Sequence, residues 1–268
     1  MKLFGRGKNK KKLGLGLGGG GAKGSVHLGA LRAFEEEGVS FDVVAGTSIG
    51  SFIGALYARG YSAGEIESIL IGSNLDDVRS FLMARISGVG IDGILAKSTG
   101  NLDFEDLKIP YAAVAVDLAS GEKVVFTDGV LSKCMGASCA IPPYFKAVEY
   151  LGWRFVDGAF ADVVPCDVAR ELGADFVIGI DLTGNRQSSE RSKRSLDEMY
   201  PNNGVRVCNP SEEGYAACDY MLTPDLVGFG ATSVNAMGEM FDIGYFLAKE
   251  HMKDIKAALK KAGFSSEN

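Results

Sequence analysis

Two short apolar segments, each running into glycine and then into a helical pattern, limit what this chain can fold into. Leu13-Gly-Leu-Gly-Leu17 alternates leucine with glycine and ends at Gly18–Gly21, and Phe41-Asp-Val-Val-Ala45 ends at Gly46. Short alternating or β-branched runs bounded by glycine read as strands. After the first run, Lys23–Gly38 reads as a helix with Val26, Leu28, Leu31 and Phe34 as its apolar stripe. After the second, Ile49–Arg59 is rich in small and apolar residues and also reads as helix. Strand, helix, strand, helix within sixty residues favours a parallel sheet covered by helices, since parallel neighbours need a crossover connection.

The rest of the chain extends this pattern. Ser62-Ala-Gly-Glu65 has capping-box spacing and opens a helix to about Gly72. Tyr111–Asp117 and Lys123–Thr127 read as strands joined at Ser120-Gly121, and Phe155–Val156 and Phe176–Asp181 as strands around a helix at Cys166–Leu172. Gly238–Leu259 reads as an amphipathic terminal helix. Residues 74–107 resist assignment; the apolar residues between Phe81 and Leu95, broken by Gly88, Gly90 and Gly93, are expected to form a lid or membrane-facing flap. Residues 184–193 are polar and are expected to form a surface loop. Pro142-Pro-Tyr-Phe145 either lines an apolar pocket or packs. There is no internal repeat and no linker that would divide residues 13–268.

Chemistry concentrates at the two glycine junctions. Gly46-Thr47-Ser48-Ile49-Gly50 is G-x-S-x-G between a strand and a helix, where a sharp turn projects the serine outward and glycines leave room for the backbone. The helix start also offers free N–H groups to a developing oxyanion. A serine N-cap is the competing reading. Gly18–Gly24 can converge backbone amides on an anion. It also matches the dinucleotide fingerprint as Gly16-x-Gly18-x-x-Gly21, with Asp42 where a ribose-binding acid is expected. Ala22-Lys23-Gly24 lacks the order of a phosphate-binding Walker loop. A serine nucleophile needs a base. The two histidines, His27 and His251, fall in helical segments, His27 suited to packing or a hydrogen bond and His251 to an exposed face. Asp157-Gly158-Ala159, after the apolar Phe155–Val156, puts a carboxylate at a strand end, where burial can raise it to a useful basicity.

Composition narrows the class. A net charge of −6 argues against a nucleic-acid partner. Residues 1–12 nevertheless carry six cations and no acid, which reads first as a flexible leader and second as a peripheral contact with anionic membrane. Five cysteines without a C-x-x-C pair fit reduced thiols in a cytoplasmic protein, with no metal site expected. No stretch approaches the roughly 20 apolar residues of a membrane span.

Taken together, Gly18–Gly24, Gly46–Gly50 and Asp157–Ala159 resemble, in content and order, the patatin-like phospholipase family with its G-G-G-x-[RK]-G, G-x-S-x-G and D-G-[GA] motifs. Phe104–Pro110, Ala115–Gly121, Ser138–Pro142 and Asp157 through Val164-Pro165 look like family segments as well. The resemblance implies a three-layer α/β/α sandwich with a mostly parallel central sheet, one catalytic domain over 13–268, and no cofactor. It implies a Ser48–Asp157 dyad, an oxyanion hole from Gly19, Gly20 and Gly21, and supporting roles for Lys23, Gly46, Gly50 and Gly158. The expected activity is hydrolysis of phospholipid, lysophospholipid or related lipid esters through an acyl-enzyme. A nucleotide-binding Rossmann protein and a catalytically silent patatin-fold binding protein are the alternatives.

Overall fold

The computed structural model describes residues 11–72, 91–99, 102–142, 144–183 and 212–264. Its centre is β1 (Leu13–Leu17), where the leucine–glycine alternation sorts the two faces of a sheet. Leu13, Leu15 and Leu17 enter the larger core. The glycines face the other way, and a Cβ on Gly16 would lie 2.6 Å from the Cys166 sulfur. The helix that begins at Cys166 therefore sits closer to the sheet than any side chain at position 16 would permit.

β1 is followed by α1 (Ser25–Glu36), β2 (Val43–Thr47), α2 (Ile49–Arg59), α3 (Ala63–Gly72), α4 (Ile91–Thr99), β3 (Tyr111–Asp117), β4 (Lys123–Phe126) and α5 (Leu131–Cys139). Then come β5 (Val148–Tyr150), β6 (Trp153–Asp157), α6 (Cys166–Glu171), β7 (Phe176–Ile180), α7 (Glu212–Ala216), β8 (Tyr220–Leu222) and α8 (Met237–Lys261). The sheet runs β5-β6-β3-β2-β1-β7-β8, with β4 also paired to β3. β3, β2, β1, β7 and β8 are mutually parallel, whereas β4, β5 and β6 pair antiparallel. Helices cover both faces: α1, α2, α3 and α8 contribute to the core on the leucine side, and α6 and the segment around α7 to the core on the glycine side.

The chain leaves β1 toward β2 and β3 on one side and later returns to its other side as β7. Parallel sheets open a crevice at such a reversal, at the carboxyl ends of the strands. Gly18–Gly21 and Ser48 both follow carboxyl ends there. Lys11 and Lys12 precede β1 and so lie at the opposite edge, where the Lys11 ammonium binds the Ala262 carbonyl.

Several expectations shift. The second strand spans Val43–Thr47 rather than Phe41–Ala45, because the Asp42 N–H and carboxylate are used on the Leu13 main chain ahead of the ladder. A 3-10 turn at Gly21–Gly24 precedes α1. The flap expected between Phe81 and Leu95 lies partly outside the described residues; within it, Ile91 and Leu95 are buried core residues of α4. Residues 1–10 of the leader and the loop at 184–193 also lie outside. Among the described residues, no helix is long and apolar enough to cross a membrane.

α1 and α8 cross at backbone distance. A Cβ on Gly29 would lie 2.0 Å from the Phe241 carbonyl oxygen, and one on Gly244 would lie 2.1 Å from that of Val26. Lys249 and Lys256 then bind Glu37 at 2.9 and 2.7 Å along the rim of this contact.

Candidate active site

Ser48 occupies the turn between β2 and α2 at φ 55°, ψ −127°. A non-glycine residue in such a conformation costs about 1–3 kcal/mol and persists only where its surroundings dictate it. Here Gly46 and Gly50 let backbone meet backbone: a Cβ on Gly46 would lie 2.3 Å from the Gly50 oxygen, and one on Gly50 2.2 Å from the Leu17 oxygen. The Ser48 carbonyl accepts the Ser51 N–H and hydroxyl, both at 2.8 Å. The Ser48 N–H donates to the Ser138 hydroxyl oxygen at 2.9 Å. The Ser48 hydroxyl donates to Asp157 Oδ2 at 2.6 Å.

Asp157 ends β6 and is fully buried. Its second oxygen accepts the Ala159 N–H at 2.9 Å, and its own N–H donates to the Ala140 carbonyl at 3.1 Å. Burial pushes its carboxyl up to about 6, against the lowering effect of the Ser48 and Ala159 hydrogen bonds. Ionised at neutral pH yet far more basic than a surface carboxylate, it suits proton abstraction from Ser48. Gly158 permits the approach of this segment to β3, since a Cβ would fall 2.2 Å from the Val114 oxygen. The Thr47 hydroxyl donates to the Asp162 carbonyl at 2.9 Å, joining the two motifs a second time. Beneath them, Lys123 bridges the buried Asp162 at 3.2 Å and Asp167 at 2.5 Å.

The glycine loop lies against the serine: a Cβ on Gly19 would be 3.2 Å from Ser48 Cβ. Its amides differ in availability. Gly18 N–H donates to Ile180, and Gly19 N–H to Val163 at 3.2 Å, so the Gly19 amide, expected in the oxyanion hole, is committed to the fold. Gly20 and Gly21 N–H have no protein partner among the described residues. Gly21 takes φ 59° and packs where a side chain would strike the Ala231 carbonyl. Lys23 reaches the Leu182 carbonyl at 3.5 Å. Partial burial lowers its ammonium pKa, against the attraction of Asp181.

Neither histidine bonds to Ser48. His27 is buried, its Nε2 paired with the Gly18 carbonyl at 2.8 Å, and burial takes it down to about 4, so it is a neutral donor that steadies the loop. His251, on α8, pairs through Nδ1 with the hydroxyl of Tyr220 on β8 at 2.8 Å. Asp42 bonds to the Leu13 N–H at 2.8 Å, at the edge of the sheet remote from the glycine loop, so no ribose could reach it from there. In the 142–145 segment Pro142 is buried, Phe145 packs on the core and Tyr144 is exposed; Pro143 lies outside the described residues. The segment Ser138–Pro142 is recognisable in sequence as family-like, but no spacing rule relates Ser138 or the Ala140 carbonyl to position 48, so their contacts with Ser48 and Asp157 are not legible there. Among the described residues no cluster of His, Cys, Asp or Glu could hold a metal.

A profile of the Patatin-like phospholipase family matches residues 15–170, more than half of the chain. "Patatin-like phospholipase domain-containing protein 7" of Mus musculus is 34% identical over 180 residues, 63% of this chain and 13% of that protein. An uncharacterized NTE family protein of Mycobacterium tuberculosis is 31% identical over 179 residues, 63% of this chain and 49% of its own length. Among solved structures, VipD from Legionella pneumophila superposes with a TM-score of 0.57 at 14% identity, over 91% of this chain and 67% of that one. The chain thus spans less than half the length of the curated relatives cited.

Proposed function

The chain belongs to the patatin-like phospholipase family, and from that premise we propose that it hydrolyses lipid acyl esters with Ser48 as nucleophile and Asp157 as general base. The observation that supports this best is the 2.6 Å bond from the Ser48 hydroxyl to a buried carboxylate, in a turn strained to present it. Ser48 Oγ attacks the ester carbonyl as its proton passes to Asp157 Oδ2. The tetrahedral oxyanion receives the free N–H groups of Gly20 and Gly21 and that of Ile49 at the start of α2. Each such donor contributes about 3–4 kcal/mol to the barrier reduction. Collapse expels the alcohol, which takes the proton from Asp157, and leaves an acyl-serine. Water, deprotonated by the same carboxylate, then releases the acid. Phospholipids and lysophospholipids are the proposed substrate class, residues 13–268 the catalytic domain, and the basic residues 1–12 a peripheral contact with anionic lipid.

A fluorophosphonate probe tests the nucleophile. Wild type should be labelled stoichiometrically and release fatty acid from lysophosphatidylcholine, and Ser48→Ala should do neither. Equal labelling of the two would sink the reading.

The pH profile tests the base. Protonated Asp157 cannot accept the serine proton, so kcat/KM should fall tenfold per pH unit below about 6 and level off above it. An acid limb centred near 4 would mean that an ordinary, solvated carboxylate acts instead.

The nucleotide-binding alternative needs Asp42 beside the glycine loop, and its bond to Leu13 holds it at the other edge of the sheet.

A further inference from the structure

The peptide between Thr47 and Ser48 determines the direction in which the serine side chain leaves its turn. On the carbonyl side, Ser48 is held by the Ser51 N–H and hydroxyl. On the amide side, its partner is the Ser138 hydroxyl oxygen at 2.9 Å. Ser138 is fully buried, in the last turn of α5. Two residues further on, the Ala140 carbonyl accepts the Asp157 N–H at 3.1 Å. One short stretch of chain thus holds the main chain of Ser48 and of Asp157, although these residues are 109 positions apart.

That stretch is itself fixed from behind. Gly136 lets α5 approach α4 so closely that a Cβ there would fall 2.8 Å from Asp92 Cα. Lys133 binds the Asp92 carboxylate at 2.5 Å across the same contact. Tyr111 on β3 donates to the Ser51 carbonyl at 2.8 Å and steadies the first turn of α2. The left-handed conformation of Ser48 therefore has a rigid hydrogen-bond acceptor at its amide. Without one, a strained residue relaxes toward an ordinary backbone region.

We infer that Ser138 is a positioning residue for the reaction: its hydroxyl holds the Ser48 amide so that the strained turn aims Ser48 Oγ at Asp157 Oδ2. The inference rests on the serine-hydrolase reading above. It adds the element that sets the spacing of nucleophile and base. Misplacing reacting groups by about 1 Å can cost on the order of a hundredfold in rate, so a group that touches neither substrate nor proton can still govern turnover.

The test compares wild type, Ser138→Ala and Ser138→Thr, all assayed well below the lowest melting temperature of the set. Three readouts are taken: the rate constant of fluorophosphonate labelling, kcat and KM on a soluble p-nitrophenyl ester, and the midpoint of the acid limb. Ser138→Ala should label about 10–100-fold more slowly, with kcat falling in parallel and KM within about twofold. Its acid limb should move upward, because the Ser48 hydrogen bond is one of the interactions that lower the Asp157 pKa. Ser138→Thr restores the hydroxyl and should recover most of the rate. If Ser138→Ala does not fold, Ser138→Cys carries the same comparison, since sulfur is a weak acceptor of similar volume. A variant without the hydroxyl that labels at the wild-type rate with an unmoved acid limb overturns the inference alone. A folded wild type that no fluorophosphonate labels overturns the serine-hydrolase reading, and the inference with it.

Discussion

Asp157→Asn is expected to cut ester turnover by about four orders of magnitude while leaving the melting temperature unchanged or raised. The loss follows from removing the base: an amide has one oxygen, which the Ala159 N–H takes, and turns an N–H₂ donor toward Ser48, so it can accept no proton. A positioned general base is worth up to about 10⁴-fold. The stability effect has the opposite sign. Burial holds the Asp157 carboxyl at about 6, above its unfolded value of 3.8. A group with a raised folded pKa contributes its full stability only below the unfolded value, and loses it as pH rises through the folded one. Ionised Asp157 therefore costs the fold about 3 kcal/mol at neutral pH. Asparagine has the same shape and no charge. Its stability advantage over wild type should be small near pH 4, grow between 4 and 6, and flatten above 7. Urea denaturation of both proteins at three pH values would measure this. Constant wild-type stability relative to the variant across that range would show that the carboxylate is not the desolvated group described here.

Gly50→Ala is expected to destabilise the protein by about 3 kcal/mol and abolish fluorophosphonate labelling. The added methyl would meet the Leu17 carbonyl oxygen at 2.2 Å and its carbon at 2.6 Å, both main-chain atoms of the central strand. Neither can rotate away, so α2 must move off β1, and Ser48 moves with it. In a domain of this size the change should lower the melting temperature by roughly 6–12 °C. Gly64→Ala is the matched control. Gly64 also lies in a helix, α3, but nothing stands within 4 Å of its added Cβ. There the gain in helix propensity should leave stability equal or better by up to about 1 kcal/mol. Two glycine-to-alanine changes of the same sign would contradict the close approach of α2 to β1.

Residues 13–60 are nearly transparent in sequence because each element carries its own punctuation. Leucine–glycine alternation marks β1, and glycines bound both strand-to-helix turns. Ser48, Asp157 and the glycine loop could be picked out because their motifs are local. What brings them together is not. Asp157 reaches Ser48 through the antiparallel pairing of β6 with β3, which puts Asp157 opposite Ala115, and register across forty residues leaves no mark in either segment. β5 and β8 have three residues each, too few to show a period. In α5, Ser132, Cys134, Gly136, Ser138 and Cys139 are weak helix formers, and the helix is held by packing on α4 and β3. The division of labour among the loop glycines was equally hidden. Gly19 and Gly20 are indistinguishable by type, yet one amide is spent on Val163 and the other has no protein partner among the described residues. Asp42 sat at the right distance in sequence for a ribose ligand and proved to close the wrong end of the strand.

The crossing of α1 with α8, where Gly29 and Gly244 bring main chain against main chain, bears on how this protein could be divided. The match to the family profile ends at residue 170. Ser48, Asp157 and the glycine loop all lie before that point, so a fragment ending there would hold every residue proposed for chemistry. It would lack β7, whose Ile180 carbonyl anchors Gly18, the Ala231 carbonyl that anchors Ala22, and the helix that covers α1. The three motifs would be intact in such a piece, and the loop proposed to receive the oxyanion would have lost its footing. What is inherited as a signature is smaller than what must be inherited as a machine, and any excision, fusion or chimera of this chain has to be cut to the second measure.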